Sequence, residues 1–492
     1  MKKINFLLML LVSVVVLTCC SAEDPFEEYD GNNSWNNVDN MPVNNGNSAT
    51  GELSAFDIAT DKTSAEPTDV AAEYFPDEED ILENNEFTTE VMIDLSNPSA
   101  QTKNGVEVTV NGNHVMANHG ETKKVCYVLS GTTANGSFTV LGNKKYAVRL
   151  NSVNITNPDS AALNLLSSKR AFIILADGTT NTLADGTGGG HKGALYGKGK
   201  LLFNGSGSLS VIGNTNNGIH SADYIVLNKG NNVYVKSTVN NGIKANDGVF
   251  INGGILNVEV TASDAKGINC ESHIVINGGR TIVLASGYDS EGIQADSTLT
   301  IAGGEVACHT YDDAINSKGN MTISGGYVYA HGQHNDGLDA NGNCYIKGGT
   351  VYAICSGSPE VAIDANTEGG YKLYVTGGTI MALGGLENGS SLTQSCYQTS
   401  SWTANSWYAL GDDTSTFSFH TPSSGGSGLV VSSASQPSLQ SDISVSGGTS
   451  YFCGIGIENG IVSGGSLVSL SGYTGGSGMG GGPGGGGPGG WH

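Results

Sequence analysis

Residues 241–260 read Asn241-Gly242-Ile243-Lys244-Ala245-Asn246-Asp247-Gly248-Val249-Phe250-Ile251-Asn252-Gly253-Gly254-Ile255-Leu256-Asn257-Val258-Glu259-Val260. A Gly-Ile pair is followed by a short alternating apolar stretch, then Gly-Gly, then a second alternating stretch. Strict alternation over so few residues is the signature of a strand, and nothing between the two stretches is long enough for a helix. The same phrase returns along the chain. Its Gly/Ala-Ile/Leu pair recurs at Gly218, Gly242, Gly267, Gly292, Ala314, Gly337 and Ala362, in steps of 24, 25, 25, 22, 23 and 25 residues. A repeat of this length stacks each unit on the last, so it predicts an all-β solenoid with 22–25 residues per rung.

Aligned on Gly-Gly, the best copies begin at Val249, Ile274, Leu299, Met321, Cys344 and Leu373. Alternation points the first and third residues of each copy inward, and Leu256, Val306, Val328, Val351 and Ile380 form a second inward column after Gly-Gly. The Ile/Leu of each Gly-Ile pair makes a third short strand. Three short sheets joined by tight turns describe a parallel β-helix, with Gly-Gly supplying corners at positive φ. Degenerate copies at Ala162-Leu163 and Ala194-Leu195 extend the coil toward the N-terminus.

Outside the coil the composition changes. Residues 23–90 hold 19 Asp/Glu and one basic residue, Lys62, giving −18 of the total −24; residues 1–22 carry +2, which leaves −8 for the other 402. The repeat region is therefore only mildly acidic, and nucleic acid is not an expected partner. Residues 20–90 read as an acidic, disordered tether. Residues 91–475 are the expected β-helix domain. Residues 386–428, with Tyr397, Trp402, Trp407 and Tyr408, lose the period and read as an aromatic-containing loop, and 476–492 as a disordered Gly/Pro-rich tail.

Lys2 and Lys3 precede an apolar run from Phe6 to Leu17, as in a secretion signal covering residues 1–19. Leu17-Thr18-Cys19-Cys20-Ser21 resembles a bacterial lipobox, with Cys20 the expected acylated residue and Cys19 the runner-up. Ser21-Ala22-Glu23-Asp24 looks like the surface-export signal of some Gram-negative lipoproteins. The expectation is a protein lipid-anchored on the bacterial surface, in the outer membrane. Seven cysteines remain beyond the anchor, none in a CxxC pair, which disfavours zinc. Cys270, Cys308 and Cys344 fall on inward positions, and a Cys396–Cys453 disulfide has no geometric support.

The succession of Gly-Ile rungs, the Asn-Gly-Gly turns, the segment Gly178-Thr179-Thr180-Asn181-Thr182-Leu183 and the Gly/Pro-rich tail together resemble one family. It is the calcium-binding, carbohydrate-binding right-handed parallel β-helix family first typified by a clostridial polysaccharide-binding protein. The resemblance covers about residues 103–475. It implies a right-handed coil related to polysaccharide lyases, metal sites along one edge, and binding of cellulose-like or acidic plant polysaccharides.

Read down the stacked rungs, the residue before Gly/Ala is Asn217, Asn241, Lys266, Glu291, Asp313, Asp336 and Val361. The residue after Ile/Leu is His220, Lys244, Asn269, Gln294, Asn316, Asp339 and Asp364. Amides and lysines give way to carboxylates. Two carboxylates about 5 Å apart repel by roughly 3 kcal/mol at an effective dielectric of 20, so a row of them calls for protons or a bridging cation. Oxygen ligands without His or Cys select a hard ion, and Ca²⁺ accepts them in irregular geometry. The central expected ligands are Asp313, Asp336, Asp339 and Asp364; Glu291, Asp312, Asn316 and Asp289 are second choices for a neighbouring ion.

For sugar stacking, the outward positions offer Tyr329 and Tyr352 on adjacent rungs with Tyr327 alongside, and Tyr345 and Tyr374 on the preceding sheet; Trp402 and Trp407 are an alternative on the loop. A calcium-dependent lyase needs a Lys or Arg base beside the ion. Lys318 is the candidate, with Lys347 and Arg280 poorer, and no His pairs with it. A hydrolase would need an acid/base carboxylate pair, for which Asp312 and Asp336 would have to serve. The reading favours a non-catalytic, calcium-dependent polysaccharide binder, with a pectate-type lyase and a structural adhesin as alternatives.

Overall fold

A computed structural model describes residues 51–54, 73–357, 360–412, 415–424 and 427–475. The secretion signal, Cys20 and the 476–492 tail lie outside these residues, as does most of the expected tether. No helix among the described residues is long and apolar enough to cross a membrane.

The repeat folds as a parallel β-helix with three stacks of strands. The Gly-Ile segments form one: Gly193–Gly197, Asn217–Ser221, Ile243–Ala245, Lys266–Cys270, Glu291–Ala295, Ile315–Ser317 and Leu338–Ala340, each parallel to the next. Bridges from Leu338 to Ile363 and from Ile363 to Leu386 carry this stack two rungs further. The segments before Gly-Gly form the second stack, running through Tyr224–Leu227, Gly248–Ile251, His273–Ile276 and onward to Leu373–Val375. Those after Gly-Gly form the third, running through Ile255–Val260, Arg280–Ala285, Glu305–Thr310, Tyr327–Gly332, Thr350–Cys355 and Thr379–Leu383.

The alternating pattern sets which residues meet. Val249, Ile274, Leu299, Met321, Cys344 and Leu373 all lie within one continuous buried core, with Leu256, Val306, Val328, Val351 and Ile380 opposite them. Cys270, Cys308 and Cys344 pack there as small apolar groups, and all seven described cysteines are free, Cys396 and Cys453 included. The Gly-Gly corners depend on glycine for two reasons. Gly304 has φ +78°, and a Cβ there would lie 2.6 Å from the Gly279 carbonyl oxygen of the rung before.

Three features depart from the sequence reading. First, residues 73–90 are folded onto the coil. Phe75, Leu82 and Phe87 pack against an apolar patch of the second stack's outer face that includes Phe172, Leu202, Tyr224 and Phe250. Asp80, completely buried, meets Arg170 at 2.7 Å and accepts the Tyr224 hydroxyl at 2.5 Å. Acidic composition alone argued for a solvated tether, but Asp77, Glu79, Asp80, Glu86 and Glu90 pair with Arg170, Lys145, Lys124 and Arg149 of the coil, Asp80 alone among them being buried, and the apolar side chains cover the patch beside them.

Second, Gly51-Glu52-Leu53 is also docked: the Gly51 carbonyl accepts the Tyr329 hydroxyl at 3.1 Å, and the Leu53 carbonyl lies 2.8 Å from His309 Nδ1. Third, the region expected as a loop from 386 to 428 contributes strands to two places. Cys396–Ser401 and Ser427–Ser432 run antiparallel at the end of the coil. Trp407–Gly411 and Thr416–His420 join Ser438–Ser446, Thr449–Tyr451, Gly456–Glu458 and Ile461–Leu467 in a six-stranded antiparallel sheet. The parallel coil thus gives way to antiparallel pairing well before residue 475. The six-stranded sheet lies across the outer face of the third stack, where Ile282, Leu284, Ala307, Tyr329, Tyr352, Met381 and Leu383 pack with Tyr408, Phe417, Phe419 and Phe452.

Candidate functional site

Stacking brings the carboxylates of the later rungs together. Asn316 pairs in register with Asp339, and the bridge from Leu338 to Ile363 puts Asp364 on the next rung of the same column. One oxygen each from Asp336, Asp339 and Asp364 lie within 4.8 Å of one another. Asp313 adjoins them through Asn316, whose amide nitrogen donates to Asp313 Oδ2 at 3.0 Å and to Asp339 Oδ2 at 2.7 Å. Backbone amides hold two of the acids in place: Asp336 N–H donates to Asp313 Oδ1 at 3.0 Å, and Val361 N–H to Asp336 Oδ1 at 2.8 Å.

The electrostatics are those of crowded, poorly solvated anions. Burial, then the charges of Asp313, Asp364 and Asp339, push the Asp336 carboxyl up to about 9. Burial and neighbouring carboxylates raise Asp313, Asp339 and Asp364 in the same direction. Asn316 Oδ1 is buried and has no hydrogen-bond partner, although both protons of its amide face acids. An orphaned carbonyl oxygen beside raised carboxylates is a donor set of the kind a hard cation takes up.

The other expected ligands are placed differently. Glu291 is paired with Lys266 at 3.2 Å and accepts from the Gln294 amide at 2.7 Å, so its charge is already balanced within the fold. Asp289 and Asp312 sit in the turns that lead into the Gly/Ala-Ile strands, part-exposed, and Asp289 adopts φ +53°. A further acid lies where the sequence reading stopped. Leu386 continues the Gly-Ile stack, which puts Glu387 above Asp364, and its charge and hydrogen bond help to raise Asp364. Gly385-Leu386, one more copy of the Gly-Ile pair at a step of 23 residues from Ala362, is the signal that points to it.

The aromatic candidates divide. Tyr329 and Tyr352 do face outward from the coil, yet both are completely buried because the six-stranded sheet covers them, and Tyr352 donates to the His420 carbonyl at 2.9 Å. They are not available to a sugar. Tyr327 is stacked on Tyr451 at 3.7 Å and bonded to Glu458 at 2.9 Å, so it belongs to the same interface. Trp402 and Trp407 are each only 9% exposed and cannot form a platform. Tyr345 and Tyr374 remain part-exposed, their rings stacked at 5.0 Å and 12°, with the Lys347 ammonium 5.1 Å from the Tyr345 ring centre. Lys318 is ion-paired with Asp296 at 2.7 Å.

The sequence profile of carbohydrate-binding domain-containing proteins matches residues 106–385. A carbohydrate-binding domain-containing protein of Acetivibrio thermocellus is 33% identical over 120 residues, which is 22% of this chain and 42% of that protein. The chain therefore spans less than half the length of that relative. A solved structure described as the polysaccharide lyase-like protein from C. thermocellum, gadolinium derivative, aligns with 24% identity over 56% of this chain and 96% of that one, at a TM-score of 0.36. The profile match takes in more than half of the molecule and coincides with the coil that carries the acidic column. The chain belongs to the family of carbohydrate-binding domain-containing proteins.

Proposed function

We propose that the protein is a surface-anchored, calcium-dependent, non-catalytic binder of polysaccharide, cellulose-like or acidic. The observation that carries the reading is the group of Asp336, Asp339 and Asp364 oxygens within 4.8 Å, with Asn316 Oδ1 unpartnered beside them. Asp336, Asp339 and Asp364 would hold the ion, with Asp313 and Asn316 adjoining. Bound calcium supplies positive charge that offsets the carboxylates' repulsion and attracts acidic glycans. Family membership supports carbohydrate as the ligand. The part-exposed Tyr345–Tyr374 pair with Lys347 offers flat rings and a cation to a pyranose bearing a carboxylate.

Binding is favoured over lyase chemistry because Lys318, the candidate base, is engaged with Asp296. The anchor rests on the lipobox-like Cys19-Cys20 segment. A single experiment separates the readings. The protein is incubated with polygalacturonate or insoluble cellulose, in calcium or in EDTA, while unsaturated product is followed by absorbance and retention by sedimentation. Calcium-dependent retention without product is expected. Product formation establishes the lyase, and neither retention nor product leaves the adhesin.

A further inference from the structure

Two histidines sit side by side on the outer face of the third stack, where an apolar column is interrupted. Down the rungs, in register, it reads Leu284, His309, His331, Ile354. The two imidazole rings lie 4.6 Å apart at 10°; His331 is buried and His309 part-buried. Gly51-Glu52-Leu53 is held beside them at every residue. The Gly51 carbonyl accepts the Tyr329 hydroxyl at 3.1 Å, and the Leu53 carbonyl lies 2.8 Å from His309 Nδ1. Glu52 Oε1 accepts the Ser423 N–H at 2.9 Å and the Ser423 hydroxyl at 2.6 Å. Leu53 is buried in the apolar seam that also holds Tyr329 and Tyr352. The fit is close: Gly51 has φ +74°, and a Cβ there would collide with the Thr421 carbonyl oxygen.

The hydrogen bonds fix where the imidazole protons are. A carbonyl only accepts, so His309 Nδ1 carries the proton that meets Leu53, and His309 Nε2 accepts from the Gln333 amide nitrogen at 2.9 Å. The Tyr329 hydroxyl directs its single proton at Gly51, so it accepts from His331 Nδ1 at 3.1 Å. That leaves His331 Nε2 to accept the Ser356 hydroxyl, also at 3.1 Å. Both rings are therefore neutral, and the network is complete in that state. A second proton on His309 would face the Gln333 N–H, and a second proton on each ring would set two cations 4.6 Å apart between Leu284 and Ile354. We infer that Gly51-Glu52-Leu53 is an acid-released strap: the neutral imidazoles of His309 and His331 hold it on the coil, and protonation lets it go.

The groups around the rings come from the strap, the coil and the six-stranded sheet. Glu52, on the strap, favours the imidazolium of His309, while His309 disfavours that of His331. His420, on the sheet, has its Nδ1 2.9 Å from the Thr421 carbonyl and is itself held down by burial, so it acts in the same direction as the other two. Tyr329 and Tyr352 are phenols and stay neutral in acid. At His309 burial outweighs Glu52, and both coil histidines titrate below the ordinary imidazole value of about 6.5. The docked state thus binds fewer protons than the released one. Docking is at full strength above about pH 6.5 and weakens as pH falls, by about tenfold at most per pH unit for each imidazole that release opens to water.

The test introduces one thiol with Leu53→Cys and follows its reaction with a dipyridyl disulfide, site by site by peptide mass mapping, in calcium at about pH 7.5 and about pH 5. Each rate is divided by that of the same protein unfolded in guanidinium chloride at the same pH, which removes thiol ionisation from the comparison. The ratio at position 53 should rise about tenfold or more from the higher pH to the lower. Buried Cys270 and Cys308 should stay unmodified throughout, showing that the coil remains closed. Gly51→Ala should make position 53 fast at both pH values. His309→Gln combined with His331→Gln should cut the rise to about threefold or less. A ratio that does not rise in acid, a rise shared by Cys270 and Cys308, or a full rise in the glutamine variant overturns the strap. So does a thiol already as fast at the higher pH as in Gly51→Ala.

Discussion

Replacing Asp336 by Asn removes one negative charge from the most crowded part of the column while keeping its shape. The Asn side-chain oxygen can still accept from Val361 N–H, the 2.8 Å bond that positions the native carboxylate. With ligand oxygens within 4.8 Å, each ionised pair among Asp336, Asp339 and Asp364 repels by about 3.5 kcal/mol at an effective dielectric of 20. The metal-free protein avoids this by keeping protons: burial and its neighbours push Asp336 up to about 9, far above its value in an unfolded chain. A folded pKa above the unfolded one means that the native state holds the extra proton between roughly pH 4 and pH 9. Stability is therefore complete below pH 4 and falls as pH rises through 9, by at most about 1.4 kcal/mol per pH unit for each such group.

In EDTA, wild type should melt progressively lower from pH 5 to pH 9, and Asp336→Asn should show a shallower decline and melt higher at pH 9. In calcium the order reverses. An ion present at 100 times its dissociation constant stabilises wild type by about 2.7 kcal/mol, which for a coil of this size is about 3 °C in melting temperature; the variant should gain little of it. Differential scanning calorimetry at three pH values, with calcium and with EDTA, measures all of this. A wild type equally stable at pH 5 and pH 9 in EDTA, and indifferent to calcium, refutes the reasoning about these carboxylates.

Other outcomes follow from single contacts. Gly304→Ala puts a Cβ against the Gly279 carbonyl at a backbone φ of +78° and should cost about 2 kcal/mol or more, read by chemical denaturation. Arg170→Ala leaves Asp80 buried without its cation and should cost about 3–5 kcal/mol, with residues 73–90 becoming the first site of proteolytic cutting in limited digestion. Lys318→Ala should leave both polysaccharide retention and the absence of unsaturated product as in wild type. Burial pushes the Cys126 and Cys270 thiols up to about 11, so both should resist a thiol-specific reagent at pH 8 until the protein is unfolded in urea.

The coil was legible because its information is periodic. Inward columns such as Val249-Ile274-Leu299 and the Gly-Gly corners need only alternation and a fixed step, and the acidic column appears once the Gly-Ile pairs are aligned. What escaped is what periodicity does not encode. Alternation says that Tyr329 and Tyr352 leave the core, but not that a second layer covers them. That layer is built from Ser- and Thr-rich strands of unequal length, such as Thr416–His420 and Ser438–Ser446, with no repeating step. Asp80 was hidden by averaging: composition counts charges and not their partners, so it does not show that this buried acid and its neighbours Asp77, Glu79, Glu86 and Glu90 meet basic residues of the coil.

The six-stranded sheet has a consequence for how the coil comes apart. In a stack of rungs each unit is held by its two neighbours, so opening proceeds from whichever interface is weakest. Like charges concentrate at the interfaces between Asp313, Asp336, Asp339 and Asp364, near one end. Along the third stack, from Ile282 to Leu383, those same rungs share one apolar seam with the antiparallel sheet. The sheet acts as a splint: it ties several rungs into one cooperative unit, so the charged interfaces cannot part singly. The rungs before Ile282 lie outside that seam and are bridged instead by residues 73–90, which pack across Phe172, Leu202, Tyr224 and Phe250.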